Sequence, residues 1–157
     1  MRNLRSSGAI ALLVVFTTVT VSSQNRSSYD SLRDCFLGAW RLAGLEEPDA
    51  NGNVHKADCT GLLVFTRDGH MSVQVMYRDL PTKNNAAPVQ YAQGGYEASF
   101  GRYEIDGDHT FTVHVEGALV RALIGKDLKR VYELSGKQLI VKSPDAKERW
   151  KAVWEHD

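Results

Sequence analysis

The sequence predicts an all-β domain of consecutive antiparallel strands, and three observations lead there. Turn dipeptides recur from residue 37 onward: Asn51-Gly52, Asp68-Gly69, Asp106-Gly107 and Ser135-Gly136. The first three are strong hairpin signals, because Asn, Asp and Gly tolerate φ > 0. Short runs rich in Val, Thr, Phe and Tyr lie between them, and such side chains fit a pleated, half-buried surface. Within the runs, apolar residues alternate with polar ones, so each strand has one apolar face. A series of about eight such strands suggests an up-and-down barrel or a sandwich.

Taken in order, the first 23 residues stand apart from that domain. Arg2 and Arg5 precede the run AIALLVVFTTVTV, and Val21-Ser22-Ser23 then supplies small residues. A basic start, a short apolar stretch and small residues at its end are the parts of a secretory signal. The run is too short for the roughly 20 apolar residues that span a bilayer. The expected division is therefore a signal peptide over 1–23 and one domain over 24–157, acting outside the cell or in the periplasm, with no membrane span in the mature chain. Asn25-Arg26-Ser27 also forms a glycosylation sequon.

The segment SSYDSLRDCF reads as a short helix with Ser27 or Ser28 as its cap. Strands follow near 37–46, 60–66, 70–77, 99–105, 109–117, 128–134, 138–143 and 149–155. Residues 79–98 form the longest connection, with Pro81, Pro88 and a Gly94-Gly95 pair. A connection of that length is either a binding loop or an ordinary surface crossover. In HMSVQVMY, Met71, Val73, Val75 and Tyr77 share one face. In TFTVHVEG, Phe111, Val113 and Val115 share one face, and Thr112, His114 and Glu116 share the other.

Composition excludes some partners. Without residues 1–23 there are 17 basic and 19 acidic side chains, mixed along the chain, for a net charge near −2. That is not the basic footprint a nucleic acid needs. Cys35 and Cys59 are the only cysteines; in an exported chain such a pair is expected to bond. No further Cys is present to complete a metal set, no cofactor motif appears, and there is no Gly-x-Ser-x-Gly or Gly-rich phosphate loop.

The most pointed polar feature is His114-Val115-Glu116. Residues two apart on a strand share a face, about 7 Å apart. Such a pair suits proton transfer, a metal with a third ligand, recognition of a ligand's polar group, or a hydrogen-bonded pair in the sheet wall. Arg130 comes from a later strand, which allows a His–Glu–Arg cluster. Tyr77, Tyr96 and Tyr103 are further candidates for lining a cavity, as is Tyr91. If His114 and Glu116 point into solvent, both the binding and the catalytic use of the pair fall.

Several stretches resemble the bacterial lipocalin-like domain family. A Gly-x-Trp, here Gly38-Ala39-Trp40, opens the first strand. GLLVFTRDGHMSVQVMYRD resembles the family's G-x-L-x-[FY]-T-x-D-G-x-M-S-x-Q-[IV]-M. In FGRYEIDGDHTFTVHVEGALVRALIGKDLKRVYELSGKQLIV, the family's H-V-E-G-[SA], later Gly, Arg, Y-E-L and L-x-[VL] follow in order. The resemblance spans about 36–155. It implies an eight-stranded antiparallel up-and-down barrel of calycin type, with a short N-terminal helix and an interior able to hold a small apolar ligand. It also implies that Gly38 and Trp40 are structural, with Trp40 beneath the barrel floor under a basic side chain from near the C-terminus. The family tends to have Arg two residues after the last Trp; this chain has His156, leaving Arg149 and Lys151 as substitutes. Arg121 stands where the family often has Pro.

The expectation is a secreted lipocalin-like barrel binding a small, mainly apolar molecule. The rival readings are an isomerase or hydrolase using His114 with Glu116, and a solidly packed interaction barrel without a ligand. The oligomeric state is left open.

Overall fold

The computed structural model describes residues 31–49, 51–78 and 92–156. The expected signal segment, the sequon, Tyr91 and most of the long connection lie outside the described residues. A short helix, α1, covers residues 31–36. Nine strands follow: β1 (Gly38–Pro48), β2 (Val54–Lys56), β3 (Cys59–Phe65), β4 (His70–Tyr77), β5 (Tyr96–Gly107), β6 (Thr110–Ala118), β7 (Asp127–Ser135), β8 (Gln138–Lys142) and β9 (Lys151–His156).

Each strand from β3 to β9 pairs antiparallel with its predecessor in the sheet, β1 pairs with β3, and β9 closes back onto β1. The result is an eight-stranded up-and-down barrel, which leaves no free edge along its wall. β2 is an extra strand that the sequence did not suggest; it pairs only with Glu46, Glu47 and Pro48 at the far end of β1. The Asp106-Gly107 signal is displaced by two residues: Gly107 pairs with Thr110, so Asp108 and His109 make the turn. Gly94 and Gly95 both have positive φ between the paired Gln93 and Tyr96, a two-residue turn that only such backbone freedom allows.

Period two decides what faces inward. Met71, Val75, Phe111, Val113, Val115, Leu139 and Val141 are buried while their neighbours along each strand are more open. On β1 the phase changes. A bulge between Leu42 and Gly44 shifts the register against β9. Before it Trp40 faces inward; after it Leu45 and Glu47 do. One extra residue thus brings a carboxylate to the inside that strict alternation from Trp40 would have left outside.

The two ends of the barrel differ. Short turns join the strands at the end near α1. Phe36 of that helix is fully buried and meets Phe65, Phe111 and Tyr132 edge-on at centroid distances of 5.2, 5.9 and 4.8 Å. Trp40 lies beside this plug, and its Nε1–H donates to the Phe36 carbonyl at 2.8 Å. The ring against Trp40 is His156, edge-on at 4.9 Å, and its Nε2 donates to the Leu37 carbonyl at 3.2 Å. His156 therefore occupies the place for which Arg149 and Lys151 were the expected substitutes. Arg149 bonds instead to the Gly52 carbonyl, and Lys151 to Glu46 at 2.8 Å. Gly38 sits at φ +113°, and a Cβ there would come within 2.6 Å of the His156 ring. The neighbour that leaves no room for a side chain at Gly38 is His156.

The expected Cys35–Cys59 bridge is absent; both residues are thiols. Cys35 precedes the Phe36 plug, whereas Cys59 opens β3 at the other end of the barrel. The six-residue rise from Cys59 to Phe65 is roughly 20 Å, and a disulfide needs Cα atoms within about 7 Å. Spacing in sequence could not show that the chain crosses the barrel between them.

Candidate functional site

Above the aromatic plug the lumen is not filled. About 90 Å³ admits the centre of a water molecule, and the free space counted out through the mouth is about 790 Å³. One water centre needs roughly 10–15 Å³, so the space exceeds a packing defect. This space counts against the rival reading of a solidly packed barrel. The wall is mostly apolar, from residues such as Leu42, Leu63, Val73, Val113, Val141 and Trp154. They are inward for the same reason in each case: they occupy the apolar phase of their strand.

Polar groups enter at a few points. Tyr77, Glu97, Ser99 and Arg130 line the cavity. Tyr77 ends β4, and its hydroxyl donates to Glu47 at 2.8 Å. Glu47 is almost fully buried. Burial raises its carboxyl above the ordinary value, and the Tyr77 hydrogen bond and the nearby His55 pull it partly back. Burial first, then the Glu47 charge, raises the Tyr77 hydroxyl, so it stays a neutral donor. Cys59, near the same carboxylates, is pushed up to about 11 mainly by burial.

Glu97, near the start of β5, has the same phase as the buried Tyr103 and so faces inward. Burial pushes its carboxyl up to about 7; Arg130 opposes the rise and Glu47 adds to it. Among the described residues no donor lies within hydrogen-bond distance of that carboxylate, which is partly buried on the wall of the open lumen. Arg130 on β7 lies over the Trp150 ring at 5.2 Å. The four strands that begin or end here, β1, β3, β4 and β5, are adjacent in the sheet. Their mouth-side ends thus gather Glu47, Cys59, Tyr77 and Glu97 on one side of the opening.

The residues singled out from sequence scatter. Tyr77 and Arg130 line the cavity. Tyr103 is in the core, with its hydroxyl 3.4 Å from the Thr66 carbonyl at the closed end. Tyr96 is exposed at the mouth-side end of β5. His114 and Glu116 lie on the outer wall, which corrects the expected His–Glu–Arg cluster. His114 donates to Asp127 at 2.7 Å and has Glu104 at 3.9 Å, and Glu116 has Arg102 at 3.6 Å. The physical reason is the alternation on β6. Its apolar face must turn inward, so the other face cannot. Arg130 is on the inner side of the wall and does not meet them.

Sequence reasoning missed Glu97 and Glu47. Glu97 falls within the 79–98 stretch that reads as a connection, yet β5 begins at Tyr96 and Glu97 keeps phase with Ser99 and Tyr103. Glu47 was hidden by the bulge, which no residue pattern announces. No three His, Cys, Asp or Glu side chains among the described residues are placed to hold a metal ion. No helix there is long and apolar enough to cross a membrane.

A closed eight-stranded antiparallel barrel, plugged at one end by a short helix and hollow at the other, defines a calycin-type barrel protein. The Lipocalin-like domain family matches residues 37–156, and the chain belongs to that family. Among solved structures it is similar to a lipocalin-like protein from Bacteroides uniformis, at 17% identity and a TM-score of 0.46 over 78% of this chain and 99% of that one. A protein from Bacteroides eggerthii gives 16% identity and 0.46 over the same shares. A redesigned β-barrel gives 10% and 0.44 over 80% of this chain and 94% of that one. No curated protein matches the chain.

Proposed function

We propose that the barrel binds a small, mainly apolar molecule in its lumen. The observation that carries this reading is the unfilled apolar cavity above the Phe36 plug, with Glu97 and Arg130 as polar groups on its wall. Such a shape, apolar with few convergent polar groups, suits a ligand that buries its carbon skeleton and orients by one end. Catalysis by His114 with Glu116 has no route to the lumen, because both side chains are outside it. Residues 1–23 support export, with the mature chain acting in the periplasm or outside the cell.

Native mass spectrometry of the protein purified from its own host tests the binding reading. A bound small molecule released by organic solvent is the expected result. A chain that carries none and also fails to bind apolar fluorescent dyes with Trp150 quenching would sink it. N-terminal sequencing of the extracellular or periplasmic fraction tests export; a start at Gln24 is expected, and an intact Met1 in the cytosol would refute it.

A further inference from the structure

We propose that Glu97 selects an apolar amine, taking the ligand's ammonium group against its carboxylate inside the barrel. The proposal rests on the lumen being a ligand site and adds the chemical class of the ligand. Glu97 is the inward acid to which no described donor is bonded. By contrast Glu47 already accepts the Tyr77 hydroxyl at 2.8 Å. A carboxylate on the wall of a low-dielectric space is costly unless a charge or donors meet it. An ammonium supplies one opposite charge and three N–H donors. A ligand carboxylate would instead join Glu47 and Glu97 as a third acid on the same side of the opening. Among the described residues Arg130 is the cation that lines the lumen, and its charge already acts on Glu97. Tyr77, on the same side of the opening as Glu97, favours a cation further, because ring faces are electron-rich.

The groups facing Glu97 settle what its titration would show. Arg130 lies on β7, and Tyr77 on β4, its hydroxyl raised by burial, stays neutral. Cys59 on β3, raised to about 11, is neutral at physiological pH. Glu47 on β1 is raised from 4.5 but is held partly down by its Tyr77 bond. Glu97 itself titrates near 7. An alkylammonium is charged throughout that range, so its binding must drive a proton off Glu97 when the pH lies below about 7. Amine affinity should then rise with pH, by up to roughly tenfold per unit below that point for one linked proton, and level off above it.

The experiment uses the full chain and three ligands with one carbon skeleton: n-decylamine, 1-decanol and decanoic acid, titrated by calorimetry. At pH 8 the amine is expected to bind at least tenfold more tightly than the acid. Glu97→Gln should reduce that preference to threefold or less, while a circular dichroism spectrum and unfolding transition like those of the parent report an intact barrel. In the unaltered chain, amine affinity should fall between pH 7 and 5.5 while decanol affinity stays level; this arm needs no variant to fold. An acid that binds as tightly as the amine, a preference that survives Glu97→Gln, or a flat amine profile overturns the amine proposal and leaves the lumen as a site. If none of the three binds, the lumen reading falls with it.

Discussion

The two ends of this barrel are built from the same strands and solve opposite problems. At the α1 end, Phe36, Phe65, Phe111, Tyr132, Trp40 and His156 fill the space ring against ring, and the polar atoms of Trp40 and His156 end on backbone carbonyls. At the mouth the connections are longer, the lumen is hollow, and Glu97 faces it without a described donor. The difference separates stability from recognition within about one strand length. Aromatic pairs at the floor each add roughly 0.5–1.5 kcal/mol beyond their burial. That reserve lets the upper half keep empty volume and a desolvated acid, both of which reduce stability.

If the floor carries the fold, breaking it should have the largest effect of any single change. Trp40→Ala removes a side chain that is 1% exposed and its bond to the Phe36 carbonyl. We expect a loss of about 3–5 kcal/mol, the usual range for a large buried aromatic, read from urea unfolding followed by circular dichroism. A loss below about 1 kcal/mol would mean that the floor is dispensable, and the contrast between the ends would collapse.

The second prediction concerns the mouth and has the opposite sign. Glu97 has a raised carboxyl in the fold, about 7 against 4.5 for the free group. Below 4.5 both states hold the proton and nothing is lost. As pH rises from 4.5 to 7 the unfolded chain releases it first, so the fold is progressively penalised; above about 7 the penalty is constant. It amounts to something on the order of 3 kcal/mol. Glu97→Gln should therefore match the parent near pH 4.5 and exceed it at pH 8. Equal unfolding midpoints at both pH values would show that Glu97 is not desolvated.

Much of this was legible beforehand, and the reason is physical. Turn chemistry and period two are local, so all eight barrel strands could be read from them, and the Gly38-Ala39-Trp40 floor followed from the family resemblance. What failed was non-local. The Cys35–Cys59 pairing required knowing that β3 runs the length of the barrel. Glu47 required the bulge at Leu42–Gly44. The error at His114 and Glu116 was different. The alternation that turns Phe111, Val113 and Val115 inward places both of these side chains outside.

The cysteines sharpen the same comparison through reactivity. Cys35 is exposed on α1 at the floor end, while Cys59 points inward at the mouth with its thiol pushed up to about 11. The thiolate is the reactive form, so Cys59 is protected twice. In folded, unreduced protein at pH 8, iodoacetamide should modify Cys35 at least tenfold faster, with peptide mass spectrometry locating the label. Denaturing first should expose both thiols. Two unreactive sulfurs after denaturation would restore the bridge.

The smallest effect is expected where the sequence looked most eventful. His114 sits outside the wall, and its ring is raised above the ordinary value first by the hydrogen bond to Asp127, against the desolvation of the ring, and further by the charges of Asp127, Glu104 and Asp106. A raised histidine stabilises the fold below its unfolded value, about 6.5, and that contribution disappears as pH passes its folded value. Because the pair is open to solvent, screening limits it to no more than about 1 kcal/mol. His114→Ala should therefore lower stability slightly at pH 5.5, have almost no effect at pH 8.5, and leave decanol binding in the lumen unchanged at both. A loss of binding on folded protein would mean that the outer wall communicates with the cavity, and the division between a packed floor, a hollow mouth and an inert exterior would have to be redrawn around β6.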